Sequence, residues 1–435
     1  MAGVDVAGWR IAWSVFRLSH QRRGKCEQHA QHHVFVEHLC PPRGDSRRMR
    51  PGAGREVPLA GSRQLRRRVG GCRRLTRSLR HSHTQVTLTH SVFMRPKILN
   101  CSQNTNPAWR WLEGKVAADF EYVDMQPRNW LEARLRKPYL ARYRAAAEAA
   151  RKSRSADLLV THSPAMTTWT EAFRRAPGVP HLAFSFNFTK LPTGAMLKLM
   201  RSVLPRVDRF VVFSTMERRL YAETFGIDPN RIDVVYWGVR PPEVGDNPPI
   251  VEGDYLCAVG GEGRDYRLLV DALRRLPHIP AVVVARPHNL AGLDVPGNVT
   301  VRTNIPRSEV HGIISRSRFM VLPLLHTKVP CGHVTIVSAM YLSKAIITSA
   351  SDGITDYVFE GKTGLMVPPG DVTALAERIR ELWEDPARSE RLGAAGQAFA
   401  HRHCSEAATI DYVNRYLGSI SPNYDNLVEG ERGVA

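Results

Sequence analysis

The chain has 435 residues, with 61 Lys and Arg against 41 Asp and Glu, which gives a formal net charge of +20. This length allows two domains of ordinary size and an additional segment. Residues 1–93 hold 18 Lys and Arg and five Asp and Glu, so 13 of the 20 excess positive charges belong to them. The remaining chain is only weakly basic, and the overall charge therefore does not indicate a nucleic-acid-binding protein.

Residues 1–93 read as an extension that is separate from the globular chain. The Arg-rich stretch 43–80 has no apolar period and is interrupted by Gly and Pro, which predicts disorder. A transit peptide would be equally rich in Arg, but it would form an amphipathic helix. A basic tail for nucleic acid would interleave aromatic side chains, which this stretch lacks. We favour a third explanation, in which translation begins at Met94, close to the first strand. Residues 1–93 would then come from a wrongly assigned start.

The cysteines indicate a reducing compartment. There is an odd number of them and no C-x-x-C, and they lie at positions 26, 40, 72, 101, 257, 331 and 404. The histidines near Cys26 and Cys40 lack regular ligand spacing, so no metal site is predicted. No apolar run approaches the roughly 18 to 20 residues that cross a bilayer. We expect a cytoplasmic protein, soluble or in peripheral contact with the inner face of a membrane.

After Met94, short apolar runs alternate with helical stretches. The first series of runs lies at 97–99, 158–161, 182–186, 210–213 and 234–236, with helices at 132–154 and 216–225. The second series lies at 255–259, 281–285, 299–302, 319–323 and 345–348, with helices at 266–276, 308–315, 334–342 and 372–383. Buried strands that alternate with helices predict parallel sheets with helices on both faces.

The two series are separated by the Pro-rich segment 241–249, which reads as a linker. The sequence therefore predicts an α/β protein with two doubly wound, Rossmann-like domains that face a cleft. The predicted units are an extension (1–93), an acceptor-side domain (94–242), a donor domain (243–400), a terminal helix that returns to the first domain (401–420) and a tail (421–435).

The most informative motifs lie in the second series. They read Pro330-Cys-Gly-His-Val-Thr-Ile-Val-Ser-Ala-Met340, Lys344-Ala-Ile-Ile-Thr348, Ser351-Asp-Gly-Ile-Thr-Asp-Tyr-Val358 and Glu360-Gly-Lys-Thr-Gly-Leu-Met-Val-Pro-Pro-Gly-Asp371. A helix that begins after a glycine offers free N–H groups and a positive dipole end, which suit a phosphate. The order and spacing resemble the donor half of retaining GT-B glycosyltransferases of group 1 (family 4), with the closest matches at Gly361, Gly364, Pro368, Pro369, Gly370 and Asp371.

The resemblance implies which residues bind the donor. The backbone of the turn that opens the helix would meet the donor diphosphate, and Arg264 falls where the family has a Lys. The full implied set is Gly261, Arg264, Cys331, Gly332, His333, Val334, Thr335 and Ser338. Arg264 can grip a diphosphate in a bidentate way, or it can be a solvated arginine at a helix start, where its charge opposes the dipole. We favour the first interpretation.

Two positions depart from the family pattern. Ser338 stands where the family has the Glu that typically holds the donor ribose, and Pro330 stands where it has the Glu near the transferred sugar. Neither residue supplies a carboxylate. This departure leaves open a weakly active or non-catalytic member of the family.

Three residues of the first series are candidates for the acceptor side. Asn104 follows the first strand, His162 ends the strand at 158–161, and Asn187 follows the strand at 182–186. Each is also of a type that caps loops, so the structural role stays open beside the functional one.

The resemblance implies a hexosyltransferase that uses a nucleoside diphosphate sugar as co-substrate and retains the anomeric configuration. It implies no metal and no further cofactor, and no catalytic base is predicted. The acceptor is an unidentified hydroxyl on a carbohydrate, a lipid-linked or a small-molecule substrate. The alternatives are a non-catalytic sugar-nucleotide-binding protein and a sugar-nucleotide epimerase of the same fold.

Overall fold

The computed structural model describes residues 94–103, 110, 112–134, 139–174, 178–188, 190–246, 248–261, 263–325 and 331–432. The predicted extension before Met94 lies outside the described residues. So do Asn104 and Pro330.

The first domain is built on a parallel sheet. Its six strands are β1 (Lys97–Ser102), β2 (Asp119–Asp124), β3 (Leu158–His162), β4 (His181–Phe184), β5 (Arg209–Val212) and β6 (Ile232–Val234). They are arranged in the order β2-β1-β3-β4-β5-β6, and every neighbouring pair is parallel. The strand order reverses between β1 and β3. The chain segments that follow these two strands leave in opposite directions, and a crevice forms between them.

The helices that follow β2 to β5 along the chain lie on one face of this sheet, where Leu99, Leu159 and Phe210 are buried. They are α1 (Trp130–Arg134), α2 (Tyr139–Lys152), α3 (Pro164–Phe173), α4 (Gly194–Val203) and α5 (Thr215–Phe225). The single helix predicted over 132–154 is thus two helices, and the sequence places Pro138 between them. The unpredicted α3 begins at a strong signal, Ser163 as N-cap followed by Pro164.

The second domain repeats the architecture. Its strands are β7 (Leu256–Val259), β8 (Ala281–Ala285), β9 (Val299–Thr303), β10 (Phe319–Leu322), β11 (Ala345–Ser349) and β12 (Gly364–Val367). The order is β12-β11-β10-β7-β8-β9 and all pairs are parallel. The reversal falls between β7 and β10, as in nucleotide-binding sheets of this type.

The helices of the second domain divide between the two faces of its sheet. They are α6 (Tyr266–Arg274), α7 (Arg307–Arg316), α8 (His333–Tyr341), α9 (Val372–Glu384) and α10 (Pro386–His403). Leu256 and Ala258 share one core with α6 and α9, while Cys257 and Val259 share the other with α7 and α8. Because side chains alternate along a strand, β7 is buried on both faces, and its sequence is continuously apolar.

The last two described helices lie on the first domain. Helix α11 (Glu406–Ile420) is capped by Ser405, and its residues Val413 and Leu417 are buried with Ile98 and Leu158 of the first sheet. The predicted tail includes a further helix, α12 (Tyr424–Arg432), which buries Tyr424 in the same core. The predicted domain boundary at residue 400 falls inside α10.

In the part of the chain that the structure describes, no helix combines the length and apolar character that a membrane span requires.

The contact of α10 with the second sheet gives a stability test. A Cβ atom on Gly393 would overlap the carbonyl oxygen of Ser343 and lie 3.1 Å from the backbone nitrogen of Ala345. Backbone atoms cannot yield as a flexible side chain does, so the clash outweighs the better helix propensity of alanine. We expect Gly393→Ala to lower the free energy of unfolding by about 1 to 3 kcal/mol, measured by urea denaturation.

The control is Gly297→Ala, where no atom lies within 4 Å of the added Cβ. An unchanged or higher denaturation midpoint for Gly393→Ala would contradict the close packing of α10.

Candidate functional site

The candidate site lies where the strand order of the second sheet reverses. The loop after β7 carries Gly260 to Asp265, and the loop after β10 leads to α8. Two backbone hydrogen bonds join these loops, from Asp265 N to Pro323 O (3.0 Å) and from Leu325 N to Gly263 O (3.0 Å). The two loops therefore form one unit at the carboxyl edge of the sheet, which is where ligands of such sheets bind.

Arg264 connects the two loops through its side chain. It is only 7% exposed, so the predicted alternative of a solvated arginine does not describe it. Its Nη2 atom donates to Thr335 Oγ1 (3.2 Å), its Nε atom donates to Val259 O (3.3 Å), and its Nη1 atom lies 3.8 Å from Cys331 Sγ. A guanidinium is thus held against the first turn of α8.

Two glycines with positive φ flank this guanidinium, and Gly260 makes room for it. Gly260 has φ +137°, and a Cβ there would lie 2.6 Å from Arg264 Nε. Gly332 has φ +95°, and a Cβ there would lie 2.9 Å from Leu322 Cδ2 and 3.7 Å from Arg264 Nη1. Glycine adopts these backbone conformations without the steric cost that a Cβ atom imposes.

Helix α8 begins without a side-chain cap. Gly332 is its N-cap residue and has no side chain that could accept a hydrogen bond from the first turn. The first N–H groups of a helix have no partner within the helix, and the dipole makes this end positive. The N–H groups of His333, Val334 and Thr335 therefore form, with Arg264, a site suited to an anion.

The side chain of His333 has a structural partner. It is 6% exposed, and its Nε2 atom lies 2.8 Å from the carbonyl oxygen of Gly353. Its ring also packs on that of Tyr357, with centroids 4.7 Å apart. Burial lowers the pKa of His333, so the imidazole is neutral and donates this hydrogen bond. His333 thus offers its backbone to the site, while its ring fastens α8 to the loop after β11.

The other predicted donor residues lie nearby on the same elements. Gly261 follows β7, and its carbonyl accepts a hydrogen bond from Asn289 Nδ2 (2.7 Å). Val334 is partly exposed at the start of α8, whereas Ser338 is 4% exposed in the body of the helix. The structure brings Arg264, Cys331 and the first turn of α8 together, and their roles toward a donor stay predictions.

Two acceptor-side candidates lie at the carboxyl edge of the first sheet. His162 ends β3, beside the crevice between β1 and β3, and its Nδ1 atom is buried with no hydrogen-bond partner among the described residues. Burial lowers the pKa of His162 to about 4, so its ring is neutral at pH 7. Asn187 lies in the loop after β4, partly buried, and its N–H donates to Ser185 O (3.1 Å).

Sequence reasoning missed the residues that join the two domains. The carboxylate of Asp356 accepts hydrogen bonds from Thr215 N (2.7 Å) and Thr215 Oγ1 (3.0 Å) at the start of α5. The hydroxyl of Tyr357 donates to Phe213 O (2.8 Å) and accepts from Trp237 N (3.0 Å). Asp356 and Tyr357 both lie in the motif Ser351 to Val358.

Glu217 is a buried carboxyl next to this junction. Its Oε2 atom accepts from Phe213 N (2.9 Å) and Ser214 Oγ (2.9 Å), and its Oε1 atom accepts from Tyr221 Oη (3.2 Å). Tyr221 Oη in turn accepts from Phe188 N (3.0 Å), in the loop that holds Asn187. Burial raises the pKa of Glu217 from 4.5 to about 7, although these bonds oppose the shift.

Two protein families match successive parts of the chain. Residues 109–242 match Glycosyltransferase Family 4, and residues 287–399 match Glycosyl transferases group 1. The two matches cover the first domain and most of the second. The chain belongs to the group 1 glycosyltransferases, and its fold is GT-B.

Two curated relatives each match part of this chain. The GDP-mannose-dependent alpha-(1-6)-phosphatidylinositol monomannoside mannosyltransferase of Mycolicibacterium smegmatis is 24% identical over 237 residues, which are 47% of this chain and 62% of the relative. The alpha-maltose-1-phosphate synthase of the same organism is 32% identical over 117 residues, which are 24% of this chain and 30% of the relative. The chain thus spans less than two thirds of each.

Solved structures share the fold at low identity. The sucrose-phosphate synthase of Thermosynechococcus elongatus superposes with a TM-score of 0.59 at 17% identity, over 75% of this chain and 100% of that one. Anabaena Alr3699/HepE in complex with UDP and glucose superposes with a TM-score of 0.55 at 16% identity, over 75% and 100% respectively.

The raised pKa of Glu217 predicts a pH dependence of stability. Between its ordinary pKa of 4.5 and about 7, the folded chain keeps the proton that the unfolded chain releases. The contribution of Glu217 to the free energy of unfolding is therefore fully present below pH 4.5. It decreases by about 3 kcal/mol in total as the pH rises from there to about 7. Glu217→Gln carries no titrating proton at this site, so its stability relative to the wild type should rise by that amount from low to neutral pH.

Urea denaturation of both proteins at about pH 5 and pH 8 measures this difference. A constant difference between wild type and Glu217→Gln at the two pH values would show that Glu217 titrates normally.

Proposed function

We propose that the chain transfers a hexosyl group from a nucleoside diphosphate sugar to a hydroxyl acceptor, with retention of anomeric configuration and without a bound metal ion or cofactor. The observation that carries the proposal is the buried guanidinium of Arg264 on Thr335 and Cys331 at the open first turn of α8. The guanidinium lies beside the first turn of a helix, whose N–H groups and positive dipole end favour an anion, and this supports a diphosphate as the ligand.

The donor diphosphate would accept hydrogen bonds from the N–H groups of residues 333–335 and from Arg264. When the bond between the sugar and the diphosphate breaks, negative charge develops on the leaving phosphate. A guanidinium that is already buried and oriented stabilises that charge without further reorganisation. The nucleotides named for the similar proteins, UDP for HepE and GDP-mannose for the mannosyltransferase, support a nucleoside diphosphate of either base.

The acceptor hydroxyl would enter at the carboxyl edge of the first sheet. Because the ring of His162 is neutral and its Nδ1 atom lacks a described partner, it can exchange a hydrogen bond with a hydroxyl group. Asn187 would contribute a second polar contact from the neighbouring loop. The acceptor class is a carbohydrate, a lipid-linked or a small-molecule hydroxyl compound.

Replacing Arg264 tests the diphosphate site. Arg264→Ala removes charge-assisted hydrogen bonds worth roughly 1.5 to 3 kcal/mol. We expect UDP or GDP, whichever binds the wild type better, to lose about 10- to 100-fold in affinity by isothermal titration, while the matching nucleoside loses less than about twofold.

The matched control is Arg267→Ala, which replaces an exposed arginine three residues later, in the first turn of α6. It should leave both affinities unchanged. An equal loss for nucleoside and diphosphate in Arg264→Ala would place Arg264 away from the phosphates.

A non-catalytic sugar-nucleotide-binding protein is the second candidate. The observation that favours it is Ser338, which is nearly fully buried where the family has a carboxylate. Incubation with UDP and GDP sugars separates the two, because a transferase slowly hydrolyses its donor in the absence of acceptor. Binding without release of nucleoside diphosphate, with and without candidate acceptors, would favour the second candidate.

A further inference from the structure

Arg142 is a cation on the buried face of α2. Ala145, Ala146 and Ala149 lie three, four and seven residues after it, and all three are buried in one core with Leu99 of β1. Residues at this spacing share one face of a helix. The side chain of Arg142 therefore leaves the helix on the side of the sheet, where an arginine is rarely found without a partner for its charge.

The described residues offer this guanidinium no anion. Its Nε atom is buried without a hydrogen-bond partner, and no carboxylate among these residues forms an ion pair with it. The acidic residues of α1 and α2 are engaged elsewhere, since Glu132 pairs with Arg144 (3.1 Å) and Glu148 pairs with Arg128 (2.7 Å). The hydrogen-bond donors of Arg142 are thus available to a ligand.

A contact with Tyr139 shows where the guanidinium points. Tyr139 is the first residue of α2, and its ring centre lies 5.7 Å from the guanidinium carbon of Arg142. The side chain therefore leans toward the N-terminal end of the helix, as long helical side chains do. That end lies beside the carboxyl end of β2, because Arg144 donates to the carbonyl oxygen of Gln126 (2.6 Å), two residues after β2. The guanidinium is thus directed toward the carboxyl edge of the first sheet.

The acceptor-side candidates lie at this same edge. The core under α2 takes Val123 from β2, Leu99 from β1 and Leu159 from β3, so the helix lies over β1, the middle strand of the three. The crevice between β1 and β3 is then about one strand spacing, or about 5 Å, from the helix when measured across the sheet. His162 ends β3 at this crevice. Arg142 therefore lies beside the place where the acceptor would enter.

We propose that Arg142 binds an anionic group of the acceptor, a phosphate or a carboxylate, so that the acceptor is a phosphorylated or acidic sugar and not a neutral hydroxyl compound. A guanidinium presents paired N–H donors that match two oxygens of either group. The anion would supply the partner that the described residues do not. This inference rests on the proposed transfer reaction, because it describes the acceptor of that reaction.

Urea denaturation of the full chain with added ligands tests the proposal. The protein is saturated with UDP or GDP, so that the donor site is occupied, and is titrated with inorganic phosphate, glucose 6-phosphate, glucuronate or neutral glucose. Ionic strength is kept constant, because salt screens charge interactions. A ligand that binds only the folded chain raises the denaturation midpoint in proportion to its affinity. We expect glucose 6-phosphate or glucuronate to raise the midpoint of the wild type and glucose to leave it unchanged, and the anion that acts identifies the group.

Two variants of Arg142 separate ligand binding from a structural role. Arg142→Gln removes the charge, and Arg142→Lys keeps the charge without the paired donors. We expect the affinity for the anion to fall about tenfold or more in Arg142→Gln and by a smaller factor in Arg142→Lys. Without an added anion, Arg142→Gln should keep or raise the midpoint, because it removes an unpaired charge from a buried face.

The matched control is Arg151→Gln, which replaces an exposed arginine in the last turn of the same helix. It should keep the affinity for the anion within about twofold of the wild type.

Three results would overturn the proposal: no greater stabilisation of the wild type by any of the anions than by glucose, an affinity of Arg142→Gln within about twofold of the wild type, or an equal loss in Arg151→Gln. Binding of UDP or GDP to the wild type is measured separately. Its absence would contradict the transfer reaction, whereas intact nucleotide binding without anion binding would contradict only the role of Arg142.

Discussion

A single buried guanidinium joins the two loops that diverge in the middle of the second sheet. The reversal of strand order between β7 and β10 opens a crevice there, and Arg264 spans it by contacting Thr335 on one side and Val259 on the other. Burying a guanidinium is costly unless its donors find partners. Gly260 leaves the space that the guanidinium fills, and Gly332 begins the turn of α8 against which the guanidinium is held.

The same turn is tied to the first domain. His333 bonds to Gly353 and packs on Tyr357, and the hydroxyl of Tyr357 is shared between Phe213 and Trp237 of the first domain. Asp356 adds a carboxylate at the positive end of α5, where the helix dipole favours it. The first turn of α8 is therefore connected to the interdomain junction through His333 and Tyr357. Glu217 and Tyr221 extend these contacts to the loop that holds Asn187.

Sequence reasoning found the strands whose residues are buried on both faces, because β8 and β11 are runs of five buried residues. It missed β2, an edge strand with Asp119, Glu121 and Asp124, where only one neighbouring strand pairs with it. It also missed β12, because four residues between a turn and two prolines are too few to show an alternating apolar pattern. The position of Arg264 followed from motif spacing. The roles of Asp356, Tyr357 and Glu217 did not, because a single sequence does not show which distant loop faces a side chain or how deeply it is buried.

The central claim is that a diphosphate binds between Arg264 and the first turn of α8. The most direct measurement is a crystal structure of the protein with UDP or GDP, whichever binds more tightly. The account predicts phosphate oxygens about 2.7 to 3.2 Å from the backbone nitrogens of residues 333–335 and from the Arg264 guanidinium. Phosphates bound elsewhere, with the guanidinium still on Thr335 and the first turn of α8 empty, would contradict it.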